Sequence, residues 1–462
     1  MSLYVWLLAI FVAVQIGVGL WIGRRVRGAS DFFVASRRLP APLVFATFLA
    51  ANIGAGSTIG AASLGYRMGL GGWWWNASAG LGSLVFAAWA GPRLWKIARD
   101  RGFLTLGDWL EWRYGRAVRG VSSVIIWFIS LSILAGQLLG ASSILEVVAG
   151  LPRWAGALAA AVVVVVYFVA GGLLTSAWVN LVQLAVKLVG FLSAVPIALA
   201  LVGGWSAMSQ ARSLPDGYLS LRGADGSPLW FIALLAPAFI VSPGLVQKGY
   251  GARSAGALRV GVGANAVGLI AFAIVPVILG MVARVLHPTL ASPDQALPTL
   301  LAVDLPPLVG ALTLAAVFSA EVSAADAVLF MLSTSLSQDL YRRFLAPEAD
   351  DARLLRVARG SAIAAGAAGL AITLVLPTVV DALKIFYSLL TVALFVPVVA
   401  GLLWHRPGTT AALVSIAAGT PLTLAIHVAT AGRGLHGWPP VALGLVISGA
   451  SFAAVSMLRR PA

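Results

Sequence analysis

The chain has 462 residues, 60% hydrophobic and only 10% charged, with a mean hydropathy of +0.96 and a formal net charge of +15. Soluble domains carry charge on about a quarter of their residues, so this composition excludes a soluble fold. The absence of cysteine excludes disulfides and thiol chemistry.

Apolar runs of about 20 residues are long enough to cross a bilayer as helices. In chain order they fall at 3–22, 42–69, 73–95, 121–149, 153–174, 177–203, 228–246, 258–286, 306–337, 354–376, 379–404, 408–430 and 438–457. This predicts an all-α integral membrane protein of about 13 transmembrane helices, with residues 1–462 forming one transmembrane domain. The first run is followed by Gly23-Arg24-Arg25-Val26-Arg27 with no small-residue cleavage site, so it reads as a span and not as a signal peptide. With the N-terminus outside and the C-terminus cytoplasmic, 23 of the 31 Lys and Arg lie on the inner side and six outside, with Lys187 and Lys384 in the membrane. That bias is the positive-inside signal of a cell inner (plasma) membrane protein. It accounts for the basic charge without a nucleic-acid partner. The outer loop 287–305 is expected to hold a short helix around Gln295 to Val303, and the inner stretch 338–353 to form a solvated turn.

Two spans read as broken. The second holds Asn52-Ile53-Gly54-Ala55-Gly56-Ser57 at mid-depth, and the seventh holds Pro237 and then Ser242-Pro243-Gly244. Unwound helices at the midplane are where transporters expose carbonyls and helix ends to solute and ion. Close helix packing through small residues is the alternative. The breaks lie five spans apart, which suits two inverted five-helix repeats with broken first and sixth core helices, over 42–203 and 228–404. Helices 1–22 and 408–457 are then peripheral.

Ionisable groups at membrane depth are costly and usually face a bundle interior or solute path. Lys187 lies inside the apolar run Ala177 to Gly203, and Glu321 and Asp326 lie inside Pro306 to Leu336.

Several motifs, taken in order, resemble the sodium:solute symporter family. They are Ser30-Asp31-Phe32-Phe33-Val34-Ala35-Ser36-Arg37, Ala50-Ala51-Asn52-Ile53 with Gly60, and Leu106-Gly107-Asp108-Trp109-Leu110-Glu111-Trp112-Arg113-Tyr114-Gly115. Further along come Gly171-Gly172-Leu173 with Gln183, Gln247-Lys248 with Ala252-Arg253-Ser254, and Ser333-Thr334-Ser335 with Gln338-Asp339-Leu340-Tyr341. The resemblance runs over nearly the whole chain. It implies a five-plus-five inverted repeat, alternating access, and uptake of a small organic solute driven by a cation gradient.

The resemblance also places a sodium site at Ala50, Ile53, Ala320, Ser323 and Ala324, where Ala324 replaces a family hydroxyl. A second family site would use the acid of a Thr-Asp pair, but Val179-Asn180 stands there, and Asp326 and Ala327 stand with Ser323 at the eighth-helix positions. Asn180 and Lys187 are seven residues apart, roughly 20° off one helical face and about 10 Å along the axis, so Lys187 shares the ion-facing side. The departures suggest that the Lys187 ammonium stands where sodium would, paired with Asp326. Transport would then be proton-coupled or ion-independent. Two other readings stay open: a structural ion pair, and sodium held by Asp326, Ser323 and Asn180. Glu321 has no partner that the sequence singles out.

By position the solute pocket is lined by Gly54, Ala55, Gly56 and Ser57, by residues of the third span around Trp75 and Asn76, by Gln137, and by Leu235, Ala238, Phe239 and Ser242. Leu235 and Ala238 disfavour a sugar, and few side-chain donors favour a small or partly apolar solute. The Trp73-Trp74-Trp75 run reads as an interfacial belt, and Lys384 with Asp381 as a local pair. An intramembrane enzyme would need a nucleophile–base set or metal ligands, and His287, His405, His427 and His436 lack such spacing. A membrane solute sensor is the third class, and the residues after 457 leave no room for a signalling module. No cofactor is expected beyond a sodium ion or proton as coupling ion. The expected partners are a small organic solute and membrane lipid, around a monomer or weak oligomer.

Overall fold

In lipid every backbone polar group must be satisfied within the protein, which leaves helices as the spanning solution for apolar runs of this length. The computed structural model describes residues 37–170, 173–211, 214–223, 226–404, 406 and 408–458, with positions 4–7, 9, 10, 13, 14 and 17. Among them there is no strand, only two isolated bridges, and nine helices are long and apolar enough to cross a membrane. A bent pair, Ala41–Asn52 with Gly56–Arg101, adds a tenth if taken as one span. Most of the first expected span, the motif 30–36 and Gly171-Gly172 lie outside the described residues.

Both expected breaks are present. Helix α1 (Ala41–Asn52) ends at Ile53, and the chain resumes as a wide π turn at Gly56–Gly60 and then α2 (Ala61–Met68). The bend across this break is 65°. The second break falls at Ser242, between α3 (Trp230–Val241) and α4 (Pro243–Tyr250), and α3 runs through Pro237 unbroken. Pro243 opens α4 because a proline has no N–H to lose at a helix start.

The two helices that carry the ionisable groups are α5 (Leu173–Leu201), with Lys187, and α6 (Pro307–Thr334), with Glu321 and Asp326. They pack along each other, and both pack on α1. The expectation that the ninth span stops near 337 is corrected. The helix runs on as a π-wound segment, Ser335–Leu345, with Gln338 and Asp339 buried, and only the next few residues turn. Buried polar partners hold this extension in the helix. The motif around Leu106–Tyr114 is also a helix, and a capping box between Thr105 and Asp108 begins it.

Candidate functional site

A helix that ends at mid-depth leaves its last carbonyls without partners along the chain, and the helix dipole makes that end negative. Lys187 answers this at α1. Its Nζ donates to Ala50 O at 3.0 Å, Ile53 O at 3.1 Å and Ser323 Oγ at 2.6 Å. An ammonium has three N–H groups, so all are engaged, and the side chain is fully buried. Ser323 Oγ lies 3.0 Å from Ala50 O and 3.1 Å from Ala320 O. Three of the positions assigned to a sodium site by resemblance, Ala50, Ile53 and Ser323, therefore meet at one nitrogen, and a fourth, Ala320, meets Ser323 Oγ. The fifth, Ala324, faces Gly54 so closely that a Cβ on Gly54 would stand 2.3 Å from the Ala324 methyl. With N–H donors directed at these oxygens, the set does not fit a sodium ion while Lys187 is in place.

The pairing of Lys187 with Asp326 is corrected. The acid that acts electrostatically on Lys187 is Glu321, whereas Asp326 acts on Lys248. Asp326 lies about one turn beyond Ser323 on α6, and α6 there packs on α4, which carries Lys248. The Asn180 side chain lies outside the described residues. Glu321 gains a partner that the sequence did not indicate, Thr58 Oγ1 at 2.9 Å.

Between the two breaks lies a cavity lined by residues of both. Of the expected pocket residues, Gly54, Gly56, Ser57, Trp75, Asn76, Gln137, Leu235, Phe239 and Ser242 line it. Ala55 and Ala238 do not. Ala55 is buried against Gly140, and Ala238 lies about 100° round the helix from Phe239 and is fully covered. Gln137 supports the break, with its Oε1 accepting from Ala55 N at 2.8 Å. The belt reading of the tryptophan run is corrected at Trp75, which is buried and lines the cavity. It meets Phe231 and Tyr387 edge-on, at 5.2 and 6.3 Å between ring centres. Trp74 does lie outward, donating to Leu221 O at 3.0 Å.

Residues 32–419 match the sequence profile of the sodium:solute symporter family. The chain belongs to that family. It is 31% identical over 188 residues to a sodium/glucose cotransporter of Vibrio parahaemolyticus, a stretch of 39% of this chain and 34% of that protein. It is 28% identical over 194 residues to a sodium/pantothenate symporter of Escherichia coli, 40% of this chain and 39% of that protein. These alignments span only about a third of the relatives. In fold, the chain overlays a Na+-coupled sialic acid symporter with a TM-score of 0.82 at 16% identity, covering 100% of this chain and 98% of that one. A nucleobase-cation-symport-1 family transporter overlays at 0.57 and 13% identity, covering 93% and 96%. This member of the family is a multi-pass membrane protein, and among its described residues no cluster of three His, Cys, Asp or Glu is placed to hold a metal ion.

Sequence reasoning missed two parts of the site. The cavity wall also includes Lys248, Met331, Phe386 and Tyr387. A lysine directly after the seventh span looked like a topology charge, and nothing in the local sequence marked it as a cavity residue. Below the cavity, Arg119 meets Asp108 at 2.9 Å, Glu111 at 2.9 Å and Asp339 at 2.8 Å. Thr105 Oγ1 donates to Asp339 Oδ1 at 2.6 Å. Burial alone would raise the pKa of Glu111, but hydrogen bonds from Arg343 and Arg119 outweigh it and the net direction is down.

Proposed function

We propose that this chain is a secondary active transporter that takes up a small organic solute by alternating access, with the Lys187 ammonium in place of a coupling sodium ion. The observation that carries this reading is the triple hydrogen bond of Nζ to Ala50 O, Ile53 O and Ser323 Oγ. Sodium transporters place the metal against such unwound carbonyls. Here a cation fixed to α5 takes that place, so the link between α1, α5 and α6 persists without an ion from solution. Transport is then proton-coupled or ion-independent.

The two breaks, five expected spans apart, support the five-plus-five inverted repeat over 42–203 and 228–404 and the count of about 13 spans. The charge bias supports an N-terminus outside and a C-terminus in the cytoplasm of the cell membrane. The family's transporters favour this class over an enzyme or a sensor.

The test is uptake by the purified chain in proteoliposomes, once a solute is found by thermal shift. Uptake should persist when choline replaces sodium at fixed pH, and Lys187→Ala should abolish it. Strict dependence on sodium in the unmodified chain would overturn the reading.

A further inference from the structure

Resting on that reading, we propose that the solute is an organic anion with an apolar body, such as a monocarboxylate, whose charge is received by Lys248. Among the described residues that line the cavity, Lys248 alone carries a formal charge. The side chain is almost wholly buried, and its Nζ has no hydrogen-bond partner. A buried ammonium with three unfilled N–H groups is costly. Asp326 offsets its charge through space but satisfies none of those donors, and Asp326 is not among the residues lining the cavity. A carboxylate entering the cavity supplies what is missing, a charged acceptor at hydrogen-bond range. The flexible four-carbon stem of lysine lets the ammonium follow it.

The rest of the wall says what the other end of the solute is. Trp75, Phe239, Phe386 and Tyr387 line the cavity. Tyr387 packs on Phe239 at 5.7 Å and on Phe386 at 5.1 Å between ring centres. Such a wall takes up apolar surface. The other polar groups there are partly committed to the protein. Asn76 Nδ2 donates to Ser57 O at 3.1 Å, Asn52 Nδ2 to Asn265 Oδ1 at 3.0 Å, and Gln137 Oε1 receives Ala55 N. A polyhydroxylated solute would find few free partners. An amphipathic anion needs only the ammonium at one end and rings along its body.

The experiment compares phenylacetate and hexanoate with their neutral isosteres phenylacetamide and hexanamide, by thermal shift and by calorimetry on the purified protein. At least one acid should bind tenfold or more tighter than its amide. Lys248→Met should remove that preference, and Lys248→Arg should keep it. Asp326→Asn, which removes the competing carboxylate, should tighten the acid severalfold. Amides binding as well as acids to the unmodified chain, or an acid preference that survives in Lys248→Met, would overturn the proposal. So would the absence of binding by either acid. Failures stay separable through uptake. An acid that binds but never enters proteoliposomes counts against transport and leaves the anion site standing. Uptake of a neutral solute without acid binding counts against the anion alone.

Discussion

Glu321 Oε1 and Thr58 Oγ1 lie 2.9 Å apart in the fully covered interior, joining helix α6 to the π turn that follows the first break. Thr58 Oγ1 also lies 3.0 Å from Gly54 O, so one hydroxyl ties the unwound stretch both to itself and to α6. The other oxygen, Oε2, has no hydrogen-bond partner and faces Gly140, where an added Cβ would stand 3.0 Å away. Glu321 is thus a wedge between the break and the helix of Gln137.

Replacing Glu321 tests that wedge. Glu321→Gln keeps the volume and an acceptor for Thr58, so the fold should hold. Glu321→Ala opens a void and orphans the hydroxyl, a loss of about 2–4 kcal/mol. Melting temperatures of the two variants in one detergent check this, and equal melting would show that the contact carries no weight.

Removing the tethered cation should re-create a demand for a free one. Lys187→Ala leaves Ile53 O and Ser323 Oγ without the ammonium's donors and Ala50 O with Ser323 Oγ alone, at a cost of about 1–3 kcal/mol for each orphaned acceptor. Millimolar sodium should restore part of the lost melting temperature in this variant and leave the unmodified chain unmoved. Ser323→Ala removes one of the three contacts and should cost about 1–2 kcal/mol. Titration with sodium against choline reads the difference.

The cluster under the cavity should govern access from the inner side. A small second cavity, lined by Thr105, Pro243, Gln247, Met331 and Asp339 among others, shares Met331 with the main one. Its lining contacts the Arg119 cluster through Asp339 and Thr105. Asp339→Asn weakens both contacts, so a probe at Gln247 should become reachable. Because the chain has no cysteine, Gln247→Cys gives a single labelling site. We expect severalfold faster maleimide labelling in the Asp339→Asn background, and no change would disprove the closure.

Asp294, in the outer loop, gives a pH dependence. Burial pushes its carboxyl up to about 6, although Val379 N–H donates to it at 2.8 Å. In the unfolded chain the group titrates near 3.8. Between these values the folded state binds the proton and the unfolded state does not, so stability falls as pH rises. The cost of ionising Asp294 is in full force above about 6 and is relieved progressively as pH drops toward 4. The span of about two pH units corresponds to roughly 3 kcal/mol. Asp294→Asn should flatten the melting curve between pH 7 and 5, and an unchanged slope would place the dependence elsewhere.

The apolar runs, the two breaks and the charge bias are local properties of the chain, so they were legible without coordinates. Gly54 and Gly56 mark the first unwound stretch because glycine is a poor helix former, and the Ser242-Pro243 pair marks the second because a proline opens a helix more readily than it continues one. Lys187 stood out for the same local reason, since a charge in an apolar run is conspicuous wherever the helix lies.

What Lys187 and its neighbours touch was decided only by the tertiary structure. Lys187 meets residues more than 130 positions away, and helical periodicity gives the face of a residue but not its depth against a neighbouring helix. Periodicity therefore brought Asp326 to the right face and the wrong lysine. It could not show that Lys248 lines the cavity, or that Thr58 meets Glu321. Burial selects a helix from its own residues, whereas an ion pair or solute contact depends on how separate helices tilt and cross, and no single stretch of sequence carries that information.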